Sequence, residues 1–439
     1  MNDIVISPHD RDSHGLLLMD ITVAGTDIAT TMHINPKRCF EKYISRPNEL
    51  SLDLLYFTSY IYAIDKLLLR KNAIDAWSRD INVAIPVYQI DRWLSSVEVL
   101  QDALNFLTGD NWNLTFVQLE SPYFQKDTLD IDDSPVFEHV CLFSGGLDSF
   151  VGAIDLIDKY DNVLLVSHFD GTGATQPMQD ALFHQIQSKY PKKHIANSQF
   201  HVVQDCGAED STRGRSILFL GLALYHALNL NISRVITPEN GLISINLPLT
   251  PSRTCSNSTK TMHPYFVHQF QTVLAILGIN IVLTNPYLKM TKGEMLQKCN
   301  NPELLRDGVR TTLSCSHSGH TSSWVRRNTH NCGYCIPCLI RRASVHAFDS
   351  VLDSGEDYGN DLIAEEIGLH YDSQKRKDIL ALSWFVSKKY SLVDLVREIK
   401  LMAPTDDADE IAYMLQRGYH ELKELINAKA DDDIKRLFS

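Results

Sequence analysis

From Val140 to Thr284 short apolar runs alternate with longer stretches whose apolar residues recur at helical spacing. Strands are expected at Val140–Phe143, Val163–His168, Gln199–Gln204, Arg234–Thr237 and Asn280–Thr284, and helices at Leu147–Lys159, Gln176–Lys189, Ser211–Leu228 and Pro264–Leu277. Such alternation predicts an α/β fold, a parallel sheet with helices on both faces, and a ligand at the carboxyl ends of its strands. Upstream, Leu54–Leu69 and Trp93–Leu107 carry helical spacing, while Ile81–Tyr88 and Asn113–Leu119 alternate as strands do. Pro86 suggests that the first of these strands lies at an edge. The acidic stretch Asp127–Asp133, closed by Ser134-Pro135, has the composition of a linker. Helical spacing returns over Asp378–Lys389, Leu392–Leu401 and Ala408–Ala428. The expected organisation is an α+β domain over 1–133, an α/β domain over 134–349 and a helical region over 350–439.

Composition narrows the class. The chain has 439 residues, 44% hydrophobic and 22% charged, with no repeat or low-complexity tract, which is ordinary for globular domains. A formal net charge of -13 argues against broad, charge-driven nucleic-acid binding. The long apolar stretch Leu54–Leu69 is interrupted by Ser59, Asp65 and Lys66, so a buried helix is expected rather than a membrane span. The first residues show no signal-peptide pattern, and nine cysteines without one suggest a reducing, cytoplasmic setting.

The most specific stretch is Ser144-Gly145-Gly146-Leu147-Asp148-Ser149, between an expected strand and an expected helix. Two glycines there leave backbone amides open at the positive end of a helix dipole, an arrangement that suits a polyphosphate. Ser144 and Ser149 add hydroxyls. Asp148 would repel phosphate unless a divalent cation stood between them, which points to Mg²⁺. A plain strand–helix turn is the competing reading of Gly145-Gly146 alone. There is no Gly-x-x-x-x-Gly-Lys-Ser/Thr string in the chain.

A second group is Cys332-Gly333-Tyr334-Cys335-Ile336-Pro337-Cys338, with Cys315 upstream. Interleaved Cys-x-x-Cys steps bring three thiols to one ion and Cys315 can supply the fourth, as for tetrahedral Zn²⁺. An iron–sulfur cluster uses the same ligands. His317, His320 and His330 are alternative ligands in place of Cys315.

Together the two motifs resemble the 7-cyano-7-deazaguanine synthase (QueC-like) family of PP-loop ATP pyrophosphatases, which pairs Ser-Gly-Gly-x-Asp-Ser with a Cys-Gly-x-Cys-x-x-Cys zinc site. The resemblance covers Val140 to Arg342 and includes Gly214-Arg215-Ser216 and the segment Pro286–Glu294. It departs from the family where a Tyr-Pro-Asp-Cys-Arg string is expected. It departs also in the long gap from Cys315 to Cys332 and in the additional terminal regions, which are more similar to the larger QatC-like members of bacterial anti-phage operons.

The resemblance implies a PP-loop sheet that binds ATP with Mg²⁺ through Ser144, Gly145, Gly146, Leu147, Asp148 and Ser149, with His168 beneath the adenine. Asp148, Arg215 and Lys292 would be catalytic. Glu239, Asn246, Thr259, Lys260 and His263 would bind a 7-deazaguanine carboxylate, and Cys315, Cys332, Cys335 and Cys338 would hold zinc. The implied reaction is adenylation of that carboxylate, with release of pyrophosphate and then AMP, and transfer to an amine. With ammonia the product is an amide that a nitrile-forming synthase activates a second time; with an operon partner protein's α-amine, as in a conjugating enzyme, the reaction stops at the amide. The alternatives are a PP-loop tRNA-thiolation enzyme and a non-enzymatic nucleotide-binding assembly subunit whose added helices recruit partners.

Overall fold

The computed structural model describes residues 2–13, 15–35, 43–44, 47–124, 136–169, 175–207, 209, 211, 213–247, 260, 262–316 and 329–439. Its strands are β1 (Asn2–Arg11), β2 (Leu17–Val23), β3 (Ala29–Asn35), β4 (Asp80–Val87), β5 (Asn111–Gln118), β6 (His139–Leu142), β7 (Asn162–Phe169), β8 (His194–Gln204), β9 (Arg234–Ile236) and β10 (Val282–Thr284). All ten join one sheet in the order β10-β9-β6-β7-β8-β3-β2-β1-β4-β5. Pairing is parallel from β10 to β8, antiparallel from β8 through β3 and β2 to β1, and parallel again from β1 to β5.

The join is β8. It runs parallel to β7 from Asn162↔His194 to Phe169↔His201, and its end pairs antiparallel with β3 from Met32↔Gln204 to Asn35↔His201. The segments before and after residue 133 therefore contribute to the same sheet. The expected strand at Gln199–Gln204 is only the end of this element. Its first half, His-Ile-Ala-Asn-Ser, mixes polar and apolar residues too evenly to stand out.

Alternate strand residues feed two cores. Val140, Leu164, Val166, Phe200 and Val235 point into one, with helices α1 (Glu49–Leu67), α2 (Ile90–Leu94), α3 (Val97–Thr108) and α6 (Arg213–Asn229) beside them. Cys141, Val163, Leu165 and Ile236 point into the other, under α4 (Leu147–Lys159) and α5 (Thr175–Lys189). After β9 come α7 (Gly241–Ile245) and α8 (Pro264–Ile276). The latter packs on α3 in the first core, whereas α9 (Lys292–Gln297) and α10 (Pro302–Gly308) complete the second. Both faces of the parallel half are thus covered, as its apolar strands require.

Two local expectations are corrected. Trp93–Leu107 is not one helix: α2 stops at Leu94 and α3 begins at Val97. Ser96 Oγ bonds back to the Trp93 carbonyl (2.8 Å), a local alternative to the helical ladder. β4 is not an edge strand, because it lies between β1 and β5. Pro86 is tolerated because β1 pairs only with Ile81–Ala84, so Pro86 lies where β5 alone is the partner.

The last region follows α11 (Ile336–Phe348). It comprises α12 (Ala364–Ile367), α13 (Gln374–Ser387), α14 (Leu392–Met402), α15 (Ala408–Lys429) and α16 (Asp432–Leu437), which share a core with α7 and α11. Residues 127–133, expected as a linker, lie outside the described residues. No described helix is long and apolar enough to cross a membrane.

Candidate functional site

β6 ends at Leu142 and α4 begins at Leu147, so Ser144-Gly145-Gly146 turns from a central strand into a helix N-terminus. Gly145 has φ +82°, a left-handed conformation that favours glycine, and a Cβ there would lie 3.2 Å from Gln179 Cγ. A Cβ on Gly146 would stand 3.2 Å from the Leu313 carbonyl. Gly146 caps α4 without a side-chain hydrogen bond, so no N-cap side chain covers the first-turn amides. The two serines face each other, with Ser144 Oγ 3.2 Å from Ser149 Oγ. Gln179, wholly buried on α5, donates to the carbonyls of Ser144 (3.2 Å) and His168 (3.1 Å), tying the turn to the end of β7.

Asp148 sits in the first turn of α4 and is held from two other segments. Asn240 donates to its Oδ2 through the backbone amide (3.2 Å) and the side chain (2.7 Å). Lys292 Nζ lies 3.2 Å from Oδ1. That is an ion-pair distance without hydrogen-bond alignment, so buried Oδ1 has no hydrogen-bond donor among the described residues. Lys292 is itself only 4% exposed. An acceptor-only carboxylate oxygen left in this state suits a cation ligand.

Half-buried Glu239 completes the cluster. Burial, with the charge of Asp148 adding to it, pushes its carboxyl up to about 8, against a smaller pull from Ser244 and Lys292. Ser244 Oγ donates to Glu239 Oε2 (3.1 Å), and Asn285 Nδ2 donates to the Glu239 carbonyl (2.8 Å). Near neutrality Glu239 is therefore mostly a neutral acid, as the raised value dictates.

The four expected cysteines converge. Their sulfurs all lie within 4.8 Å of one another, with Cys332 to Cys338 at 3.8 Å and Cys315 to Cys335 at 4.0 Å. Zinc at about 2.3 Å from each thiolate places tetrahedral sulfurs about 3.8 Å apart. The observed set therefore suits one zinc ion and is too tight to enclose several irons. Gly333, at φ +86°, turns the chain between ligands, and a Cβ there would lie 2.1 Å from the Asn360 carbonyl. The amides of Cys332 and Cys335 point at the sulfurs of Cys315 (3.4 Å) and Cys332 (3.3 Å). His330 is exposed and outside this set; His317 and His320 lie outside the described residues.

The cysteine cluster and the glycine turn are joined. Leu313, two residues before Cys315, donates its amide to the Gly145 carbonyl (3.0 Å), and Ser314 donates its own to Asn331 Oδ1 (3.1 Å). An ion held by the cysteines would brace the strip that braces the turn.

His168 is fully buried, its Nε2 3.1 Å from the Val202 carbonyl and its ring edge-on to Tyr62 and Phe219. Arg215, in the first turn of α6, places its guanidinium 5.6 Å from the centre of Phe219. Lys260 and His263 form a second group against Phe106 of α3, with Lys260 Nζ 4.2 Å from that ring's centre. His263 caps α8, its Nδ1 accepting from Tyr265, and burial pushes its imidazole down to about 3. Asn246 ends α7 in a left-handed conformation, and Thr259 lies outside the described residues.

Asn240, Gln179 and Leu313 were not singled out by their sequence. Asn240 carried a usable signal, because Asn before an apolar stretch is a helix-cap pattern. Here it caps α7 and grips Asp148 at once.

No protein-family model matches the chain, and no curated protein matches it in sequence.

Proposed function

We propose that this is a PP-loop enzyme that binds Mg·ATP at Ser144–Ser149, splits it between the α and β phosphates, and adenylates a carboxylate. The observation that carries this reading is Asp148: a carboxylate oxygen with no hydrogen-bond donor, beside a buried lysine, one residue inside a helix that opens on two glycines. The residues fit ATP and a divalent cation. The α4 amides and the Ser144 and Ser149 hydroxyls would hold phosphate oxygens, and Asp148 would hold the cation. Mg²⁺ supplies charge neutralisation for the departing pyrophosphate. Lys292 adds a fixed positive charge on the same side.

In the proposed reaction a substrate carboxylate oxygen attacks the α-phosphorus, and the bond to the α,β-bridging oxygen breaks with its electron pair leaving on pyrophosphate. An amine then attacks the acyl carbon, loses a proton, and displaces AMP. Positioning and electrostatics do most of this work. The motif resemblance supplies the substrate class, a 7-deazaguanine carboxylate. Glu239, three residues beyond the end of β9 and beside Asp148, would meet a purine-like edge. The added terminal regions favour an amine on a partner protein, in the setting of anti-phage defence. Zinc held by Cys315, Cys332, Cys335 and Cys338 is structural, since all four positions are taken by protein.

The test is incubation of the full chain with Mg·ATP and 7-carboxy-7-deazaguanine, with and without a co-expressed operon partner. AMP in amounts set by the deazaguanine, and a deazaguanine-sized mass increase on the partner, are expected. AMP with no adduct, together with amide or nitrile formed when ammonium is supplied, would make ammonia the acceptor. Absence of AMP under both conditions would overturn the reading.

A further inference from the structure

Asn240 and Lys292, the two groups that hold Asp148, both stand at the mouths of short helices, α7 and α9. Five or six residues with so little buried length do not fix their own position. α9 packs along α11, and α15, a 22-residue helix from the far end of the chain, reaches the entries of both α7 and α9. Met414, Gly418 and Glu421 fall on one face of it, at i, i+4 and i+7.

Each makes an approach that a larger residue would block. A Cβ on Gly241 would meet Met414 Cε at 2.4 Å, and a Cβ on Gly418 would meet Leu242 Cδ1 at 2.5 Å. A Cβ on Gly293 would meet Glu421 Oε1 at 2.5 Å. Glu421 goes further than packing. Its carboxylate accepts from the Gly293 amide (3.2 Å) and from the Thr291 hydroxyl. Those residues flank Lys292 on both sides. Thr291 in turn accepts from the Glu294 amide (3.0 Å), closing the capping box of α9. Arg417, one turn earlier on α15, pairs with Glu294 (2.5 Å) and donates to the Lys289 carbonyl (3.1 Å).

We propose that Glu421 is a positioning residue for the Lys292–Asp148 pair, and that α15 couples the C-terminal helical region to the glycine turn. The effect on catalysis rests on the ATP reading given above; the coupling does not. Removing the Glu421 carboxylate leaves the α9 entry without two of its hydrogen bonds, so Lys292 loses its fixed distance to Asp148.

The test uses the full chain as wild type, Glu421→Ala, Glu421→Gln and, as a control on the exposed side of α15, Glu424→Ala. Hydrogen exchange is followed in peptides covering 289–298 and 144–152, with thermal melting alongside. Glu421→Ala is expected to speed exchange in both peptides while the β6 and β7 strands keep theirs. Glu421→Gln, which retains one acceptor, is expected to fall between, and Glu424→Ala to match wild type. If AMP is formed by the wild type, kcat in Glu421→Ala is expected to fall about tenfold with KM for ATP changed much less, because position at the transition state is what is lost. Should Glu421→Ala fail to fold, Gly293→Ala presses the same contact from the other side and is read in the same way. Unchanged exchange in 289–298 for a folded variant would overturn the coupling, whatever the activity. Faster exchange with no AMP from wild type would uphold the coupling and sink the ATP reading alone.

Discussion

Among the charged clusters of the described residues, the one around Asp65 and Asp110 and the one around Asp148 are built to opposite rules. Around Asp65 and Asp110 every carboxylate oxygen is satisfied. Asp110 accepts from Arg70 at both oxygens (2.9 Å each) and from Arg79 at 2.9 and 2.6 Å. Asp65 accepts from Arg79 (2.6 Å), Arg70 (3.3 Å), Ser211 (2.7 Å) and the Gly214 amide (2.8 Å). Against the upward push of burial, Arg79 and Ser211 hold the Asp65 carboxyl below its usual range. The cluster locks α1, β5 and the start of α6 together. Around Asp148, by contrast, one oxygen lacks a hydrogen bond, and the neighbouring Glu239 is pushed toward its neutral form. The first cluster has the completeness of a structural joint, while the second leaves a carboxylate oxygen beside a glycine turn at a helix N-terminus.

Breaking each cluster should give opposite results. Asp110→Ala strands two buried guanidinium groups and is expected to destabilise the fold by about 3–5 kcal/mol, as removal of one partner from a buried ion pair does. Urea denaturation would measure it; a loss below 1 kcal/mol, the level of an exposed pair, would contradict the assignment. Asp148→Asn keeps the side chain's shape but removes the Lys292 ion-pair partner, so it should lower the urea midpoint much less than Asp110→Ala yet lower AMP formation about a hundredfold, the scale of losing one electrostatic anchor. Equal damage to stability would show that the two clusters do not differ in kind. Cys335→Ser should release bound zinc, seen by elemental analysis, and lower AMP formation about tenfold through the Leu313–Gly145 link. Zinc lost with activity intact would remove that link from the account.

The smallest effect is in pH. In magnesium-free buffer the folded chain holds the Glu239 proton up to about 8, while an unfolded glutamate releases it near 4.5. Between those values the folded state binds more protons, so stability falls as pH rises through that window. Glu421, pushed up to about 7 by burial, adds a slope of the same sign. Glu239→Gln should flatten most of this decline in melting temperature. An unchanged slope would place the titration elsewhere.

The same contrast explains what was legible in the sequence. The glycine turn and the cysteine group are local, since their chemistry is written in contiguous residues, and both came together as spaced. β6 and β7 were legible because burial on both faces makes them mostly apolar, whereas the mixed first half of β8 hid its start. Asn240, Gln179 and Glu421 were not, because each acts through a partner between 35 and 130 residues away. Nor was the single sheet: the β3–β8 pairing joins residues 32–35 to 201–204, and nothing in either strand names its partner. Asp65 read as an interruption in an apolar helix, whereas it is the hub of the buried ionic cluster.

The central claim is that the Ser144–Ser149 turn directs cleavage to the α,β bond of ATP. Phosphorus NMR of Mg·ATP turned over by the full chain with 7-carboxy-7-deazaguanine tests it most directly. AMP and pyrophosphate in equal amounts, both absent with Asp148→Asn, are predicted. ADP and inorganic phosphate, or turnover unaffected by Asp148→Asn, would contradict it.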